Sequence, residues 1–456
     1  MKRKFLTICA FALAVAAAAQ FPSEQNEEKP TPDYGDFTID AQVRAFGEVR
    51  GGWGTLNDND AGSNLYVNDR VRLSFGWERK NISLKIAAQH TGLWQGASHK
   101  NTAGNISLHE AWAKMTFGKG FFAQAGRQEL SYDDERLLGA HDWVATGRSH
   151  DALRLGWEGT KHRLHAIVGF NQTADVPVDF SLTPVSSSPK LYKNMQVLWY
   201  HFGAEQSPFQ ISALLMNQGA SDIYVGGIRY MQTFGTYMSY EKRKFLANAS
   251  LYYQTGKDRT GLGVRAFMMS GNFGWKFSPK WQATIGDDYL SGSDGKPGMN
   301  RTFNVLYGSY HKFLGSMDHF GYNTIPRYGI NDLNAKVNYN CGPKFDMSFA
   351  VHWFATSRPV MDYLKDPLEH LLDMETFMKW RGYNGSHRFS RNLGSELDLQ
   401  FNARPWKFVT IQAGYSLMIA TETMQLLKGL DAKKCQNWAW VCLDINPTIF
   451  STRHRR

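Results

Sequence analysis

Apolar and polar residues alternate with period two through most of this chain, and about every 40 residues a short charged turn interrupts the alternation. Such alternation places successive side chains on opposite faces of a β-strand. The short turns fall at residues 78–81, 118–120, 158–161, 204–208, 242–244, 278–280, 340–344 and 403–406, and the connections between them are longer and richer in Gly, Asn and Asp. Eight tight turns alternating with longer connections predict 18 strands and nine long loops. In the first strand, 36–50, Phe37, Ile39, Ala41, Val43, Ala45 and Val49 share one face, and Asp40, Gln42, Arg44, Glu48 and Arg50 share the other. The second opposes Leu65, Val67, Val71, Leu73, Phe75 and Trp77 to Asn68, Arg70, Arg72 and Ser74.

A soluble β-sandwich gives the same alternation, so strand length decides. Many segments run 10 to 15 residues, longer than the five or six typical of globular sheets and suited to a tilted membrane crossing of about 9–11 residues. An open sheet edge in hydrocarbon leaves backbone N–H and C=O groups unsatisfied at several kcal/mol each, which requires closure. The expected fold is all-β: a transmembrane antiparallel β-barrel of about 18 strands with short periplasmic turns and long extracellular loops. A lumen that wide is not filled by side chains alone, so water or inserted loops occupy it.

The first 19 residues explain how such a chain reaches a membrane. Lys2, Arg3 and Lys4 precede an apolar run from Phe5 to Val15, and Ala17-Ala18-Ala19 forms a cleavage site, the pattern of a secretory signal peptide. Residues 20–35, with Pro22, Pro30 and Pro32, read as a periplasmic lead-in, and 36–456 as the barrel. These features place the protein in the outer membrane of a Gram-negative bacterium. The mean hydropathy of −0.42 is consistent with that, because only every second strand residue faces lipid, while an aromatic share of 14% supplies the interfacial girdles.

The formal charge is +10. Without the three cations of the signal, 48 basic residues stand against 41 acidic ones, or +7. Anionic solutes, outer-membrane lipid and the phosphates of lipopolysaccharide are the implied partners; no nucleic-acid-binding motif is present. Three cysteines remain in the mature chain, Cys341, Cys435 and Cys442. Their spacing fits no metal site, and either a Cys435–Cys442 disulfide or free thiols satisfies it. Two connections exceed hairpin needs. Residues 292–326 are polar and Gly-rich, and 356–392 carry apolar residues at helical spacing between Leu368 and Met378, as either a lid over the pore or surface cover.

Acid and base side chains are plentiful, among them His109-Glu110, Asp133-Asp134-Glu135, His141-Asp142 and Asp287-Asp288. No nucleophile elbow, zinc-binding H-E-x-x-H or phosphate-cradling glycine loop accompanies them, so no catalytic residue, metal ligand or cofactor is assigned. What accumulates instead is basic character on the face opposite the apolar one. Alternation places Arg44, Arg50, Arg70, Arg72, Lys85, Lys114, Arg154, Arg163 and Arg265 there, with Arg127 joining them. Charge at the lipid-facing midplane costs about 2–4 kcal/mol per Arg or Lys, and the guanidinium fork suits carboxylates. The lumen is therefore expected to conduct anions. The alternative is a non-conducting surface barrel whose long loops bind a ligand or host component.

Several stretches resemble the alginate export family of outer-membrane porins. They are Gly126-Arg127-Gln128-Glu129-Leu130, then Trp143, then Gly147-Arg148-Ser149-His150-Asp151-Ala152-Leu153-Arg154-Leu155; Asp287-Asp288-Tyr289-Leu290-Ser291-Gly292, Thr302 to Tyr307, His311 and Gly315-Ser316-Met317-Asp318; Leu393 to Leu399; and Trp438-Ala439-Trp440 with Pro447 to Phe450. The resemblance implies a monomeric 18-stranded barrel, inserted by the barrel-assembly machinery, with an arginine-rich conduit for an anionic polysaccharide such as alginate or its oligomers. It marks Asp151, Asp288, Ser291, Gly292 and Asp318 as family-motif residues. Six residues, Ser451 to Arg456, follow Phe450, the aromatic that closes such barrels.

Overall fold

The computed structural model describes residues 34–94, 105–171, 192–293, 298–321, 324–360, 389–428 and 432–453. The expected signal peptide, nearly all of the lead-in, and the helically spaced part of the 356–392 connection lie outside these residues.

From Asp36 onward the strands are β1 (Asp36–Gly51), β2 (Asn64–Arg79), β3 (Ile82–Leu93), β4 (Asn105–Thr116), β5 (Phe121–Gln128), β6 (His150–Glu158), β7 (His162–Phe170), β8 (Asn194–Phe202), β9 (Phe209–Ser221), β10 (Ile228–Lys242), β11 (Phe245–Lys257), β12 (Gly263–Lys276), β13 (Trp281–Leu290), the two-residue β14 (Met299–Asn300), β15 (Ile330–Asn340), β16 (Phe345–Ala355), β17 (Asn392–Trp406), β18 (Val409–Ala420), β19 (Cys435–Ile445) and the short β20 (Thr448–Ser451). Apart from β14 and β20 these are eighteen long strands, each pairing antiparallel with its neighbours. β1 pairs with both β2 and β19, from Val43 opposite Ile445 to Gly51 opposite Asn437, which closes the barrel. β20 pairs with β1 at Thr38–Asp40 and so continues β19 past Asn446-Pro447. With strands about 4.8 Å apart and tilted about 40°, eighteen of them give a backbone diameter of about 36 Å.

All eight tight turns are present, at residues 80–81, 117–120, 159–161, 203–208, 243–244, 277–280, 341–344 and 407–408. The last lies beyond its expected place, because β17 carries its alternation through Ala403-Arg404-Pro405 to Trp406 after a register shift against β18. The alternation of β10 extends back toward Ile223, but the strand itself begins at Ile228. Gly226 and Gly227 hold positive φ, 78° and 82°, and end the loop before it. Lys80, Lys119 and Arg243 adopt left-handed backbone in three of the turns, the conformation that two-residue hairpins favour.

The outer face is apolar along every long strand, with Val43, Val71, Ile86, Leu153, Val168, Leu215, Leu251, Ile285 and Val441 exposed. Around the short turns the exposed residues become aromatic, including Phe117, Phe121, Phe202, Phe209, Tyr240, Phe245, Trp275, Phe277, Trp281, Trp406 and Phe408. That is the girdle of a barrel at the membrane interface. Cys435 is exposed and Cys442 buried, and both thiols are free. Seven residues apart on one strand, they point to opposite faces, which rules out the disulfide between them.

Candidate functional site

The inward faces of β1 to β7 carry a row of cations. Arg44, Arg50, Arg70, Arg72, Lys85, Lys114, Arg154 and Arg163 alternate with residues that face lipid, on the same side as buried Phe46, Gln89, Gln124 and His165. Two of the expected lumen residues point the other way. On β5 the buried residues are Phe122, Gln124 and Gln128, so Arg127 projects outward, where it holds Asp151 through Nε–Oδ1 and Nη2–Oδ2 contacts of 2.9 and 2.8 Å. On β12 the buried positions are Val264, Ala266, Met268 and Ser270, which puts Arg265 outside as well. Both exceptions sit at the loop ends of their strands, at the rim rather than the midplane, where an outward cation costs about 0–1 kcal/mol.

The inward row is unevenly compensated. Arg50 pairs with Glu48 at 2.6 Å, and Lys85 pairs with Glu110. Arg154 donates to the Gln124 amide oxygen at 2.6 Å, and both it and Lys114 lie over the Phe122 ring, at 5.4 and 4.3 Å from its centre. Among the described residues, Lys114, Arg154 and Arg163 form no ion pair with a carboxylate. Across the lumen the balance reverses, with Asp288, Asp332, Glu396 and Asp398 buried on β13, β15 and β17. His352 bridges that wall, its Nδ1 2.8 Å from Asp332 and its Nε2 3.7 Å from Asp398.

The β5–β6 loop, residues 129–149, does not stay at the rim but crosses the lumen. On one side Arg44 donates to the Asp142 and Trp143 carbonyls, Arg70 grips the Asp142 carboxylate at 2.7 and 3.3 Å, and Gln89 donates to the Thr146 carbonyl at 2.8 Å. On the other, Trp199 donates to Asp133 at 3.0 Å and Ser212 does likewise, while buried Arg136 pairs with Asp134 at 2.9 Å and with Asp288 at 2.7 Å. The fold thus recruits expected anion-site residues Arg44, Arg70 and Arg72 to hold a loop. Asp133, Glu135 and His141 adopt left-handed backbone, a conformation non-glycine residues hold at a cost of about 1–3 kcal/mol each. Gly147, φ +64°, packs where a Cβ would lie 2.8 Å from the His109 ring.

The β13–β15 loop packs against this bar. His311 stacks on Trp143 with ring centres 3.8 Å apart, Lys312 pairs with Glu135, and Arg148 donates to the Tyr307 carbonyl. The motif residues build this second loop. Ser291 Oγ accepts from the Phe267 N–H at 2.8 Å and donates to the Arg301 carbonyl at 2.7 Å. Gly292 crosses the backbone so closely that a Cβ there would meet the Tyr328 carbonyl carbon at 1.9 Å. Asp318, itself at φ +54°, accepts from His311 at 3.1 Å. Below the two loops a cavity of about 750 Å³ opens, lined by Arg44, Trp143, His311, Asp398, Trp438 and Trp440 among others.

Loop charge makes the bar sensitive to acid. Burial, aided by Arg148, His311 and Lys312, lowers the His141 imidazole from 6.5 to about 3. Its contribution to seating is present above 6.5 and is lost as pH falls toward the seated value. Burial acts oppositely on Asp133, raising its carboxyl from 3.8 to about 6 against hydrogen bonds from Ser212 and Trp199, so that group favours seating as pH drops from 6 to 3.8. The histidine shift is the larger. Hydrogen exchange of loop amides, corrected for intrinsic rates, is expected to be faster at pH 5 than at pH 7.5. His141→Gln is expected to flatten the difference and Asp133→Asn to steepen it.

An eighteen-stranded closed barrel with an apolar exterior, an aromatic girdle and loops folded into its lumen defines an outer-membrane protein of the porin type. The alginate export family matches residues 79–426, and the chain belongs to that family. No curated protein matches it. Among solved structures it is similar to Pseudomonas aeruginosa OccK9 (OpdG), with 9% identity over 90% of this chain and 98% of that one and a TM-score of 0.59. It is also similar to Pseudomonas aeruginosa OccK2 (OpdF) in complex with glucuronate, at 11% identity, 91% and 97% coverage and a TM-score of 0.57. A BenF-like porin from Pseudomonas fluorescens Pf-5 matches at 11%, 91% and 99%, with a TM-score of 0.57. At such identities the likeness is one of fold.

Proposed function

We propose that this outer-membrane channel passes anionic solutes by diffusion, with sugar acids and their oligomers, alginate included, as the substrate class. The observation that carries the reading is the row of inward cations on β1 to β7, of which Lys114, Arg154 and Arg163 form no carboxylate ion pair among the described residues. In a narrow, partly dehydrated passage such charges draw anions in and concentrate them. Family membership supports a polyuronate, and a neighbour of the same fold was crystallised with glucuronate. We read Arg265, exposed on the outer face at the loop end of β12, as a contact for the phosphates of lipopolysaccharide.

Reversal potentials in planar bilayers under a KCl gradient test the proposal. Chloride preference is expected, and potassium glucuronate is expected to reduce chloride current. Replacing Lys114 and Arg154 together by Gln is expected to shrink the preference without altering assembly, because neither side chain takes part in strand pairing: Arg154 donates to Gln124 and both lie over the Phe122 ring. Equal permeability to both ions in the unmodified protein overturns the anion reading. A correctly inserted protein with no conductance supports the alternative, a surface barrel that binds without conducting.

A further inference from the structure

We propose that Arg44, Arg70 and Arg72 form a carboxylate-binding site which the protein itself occupies: Asp142 stands where the carboxylate of a permeating sugar acid binds, and the solute releases the loop by exchange. The proposal rests on the anion reading above and assigns the place where substrate meets the channel. Two guanidinium groups, those of Arg70 and Arg72, converge on the Asp142 carboxylate, and the third, Arg44, donates to the Asp142 and Trp143 carbonyls beside it. Asp142 is the only acidic group within ion-pair distance of any of them among the described residues, 2.7 Å from Arg70 and 3.7 Å from Arg72. The site is built for more than that one occupant. Arg70, 1% exposed, keeps an unpartnered Nε, and Arg72 an unpartnered buried Nη2.

The occupant, by contrast, is within reach. The Asp142 side chain is 56% exposed while the guanidinium it answers is buried, and it borders the cavity lined by Arg44, Trp143, Trp438 and Trp440. Aromatic faces beside a carboxylate site suit a sugar acid, whose ring carries apolar C–H faces next to its charge. Burial works against the Asp142 charge, yet Arg70 and Arg72 hold its carboxyl below the usual range, so exchange replaces one anion by another. No bare guanidinium is left behind, which would cost about 3–5 kcal/mol. Strain favours release, because His141 immediately before the latch holds φ +52°, and Asp133 and Glu135 are similarly left-handed in the same loop. A ligand shifts such an equilibrium only by its differential affinity, and here it gains the arginine site only when the loop has let go.

Hydrogen exchange of the full mature protein in lipid nanodiscs tests this. The Gly147 N–H bonded to the Val144 carbonyl and the Arg148 N–H bonded to the Ala140 carbonyl report on the seated loop. Potassium glucuronate is expected to speed their exchange about tenfold, and glucose with potassium chloride at equal ionic strength to leave it unchanged. Asp142→Asn is expected to exchange fast without glucuronate and to ignore its addition; Lys276→Gln, at a surface cation that pairs with Glu241 beside a short turn, is expected to behave as the parent. If glucuronate acts no differently from glucose, the exchange proposal is overturned, whether or not the variant assembles. The reversal potential judges the channel separately. Anion preference with an unresponsive loop sinks the latch alone, whereas a responsive loop in a non-selective pore sinks the anion reading and leaves the site.

Discussion

Excising residues 131–148 and joining Leu130 to Ser149 through a short Gly-Ser turn is expected to raise single-channel conductance several-fold and admit solutes that the parent excludes. The barrel does not depend on this loop for its hydrogen bonds, since β5 and β6 pair directly from Phe121 opposite Trp157 to Gln128 opposite His150. What the loop supplies is obstruction: it runs from the Arg44–Arg70 wall to the Asp288 wall of a lumen whose backbone diameter is about 36 Å by the strand spacing and tilt used above. Excision also strips Arg44, Arg70 and Arg72 of Asp142, so chloride preference is expected to rise together with conductance. Planar bilayer recording and liposome swelling check both. A variant that assembles and conducts like the parent shows that the passage is limited elsewhere, and the bar is then not the constriction.

The wall of the barrel was legible in the sequence for a physical reason, and its contents were not, for another. Strand alternation is a local consequence of backbone geometry, so Val43, Val49 and Val71 announce the lipid face while Arg44, Arg50 and Arg72 announce the lumen, with no knowledge of neighbours. The same reasoning fails for Arg127 and Arg265. Near a strand end the solvent is headgroup and water rather than hydrocarbon, and the penalty that sorts charge to the inside vanishes. Loop placement has no such local rule. Nothing in Asp133-Asp134-Glu135-Arg136 or His141-Asp142-Trp143 by itself says that the chain turns into the barrel, because Asp133 is met by Trp199 and Ser212, Arg136 by Asp288 and Asp142 by Arg70, each tens of residues away. Trp143 was visible only through the family resemblance, and Asp288 through that resemblance and as one of several paired acids. The signal that sequence reasoning could have used is the unusual Arg136, a cation following three acids in a loop expected to be solvated.

That arginine is the position where a single substitution has the largest expected effect on loop seating. Arg136 is 2% exposed, its Nε pairs with Asp134 at 2.9 Å and its Nη2 with Asp288 at 2.7 Å, and its guanidinium lies 3.9 Å from the centre of the Phe313 ring. Burial works against the charge, and Asp288 and Asp134 more than restore it, leaving the pKa above that of a free arginine. Arg136→Met keeps the apolar stem and removes the charge, so Asp288, itself 2% exposed, is stranded on the wall without its counter-ion. Breaking a buried pair from one side costs about 3–5 kcal/mol, more than a loop carrying three strained residues is expected to absorb while seated. The expected result is local. Exchange of amides in 129–149 rises steeply and channel current becomes noisy, while the β5–β6 amides keep their protection. Adding Asp288→Asn removes the stranded charge and is expected to recover part of the loss, a positive coupling in the double-mutant cycle. Equal exchange in parent and Arg136→Met, or a double variant no better than the single one, shows that the Asp134–Arg136–Asp288 set does not anchor the bar.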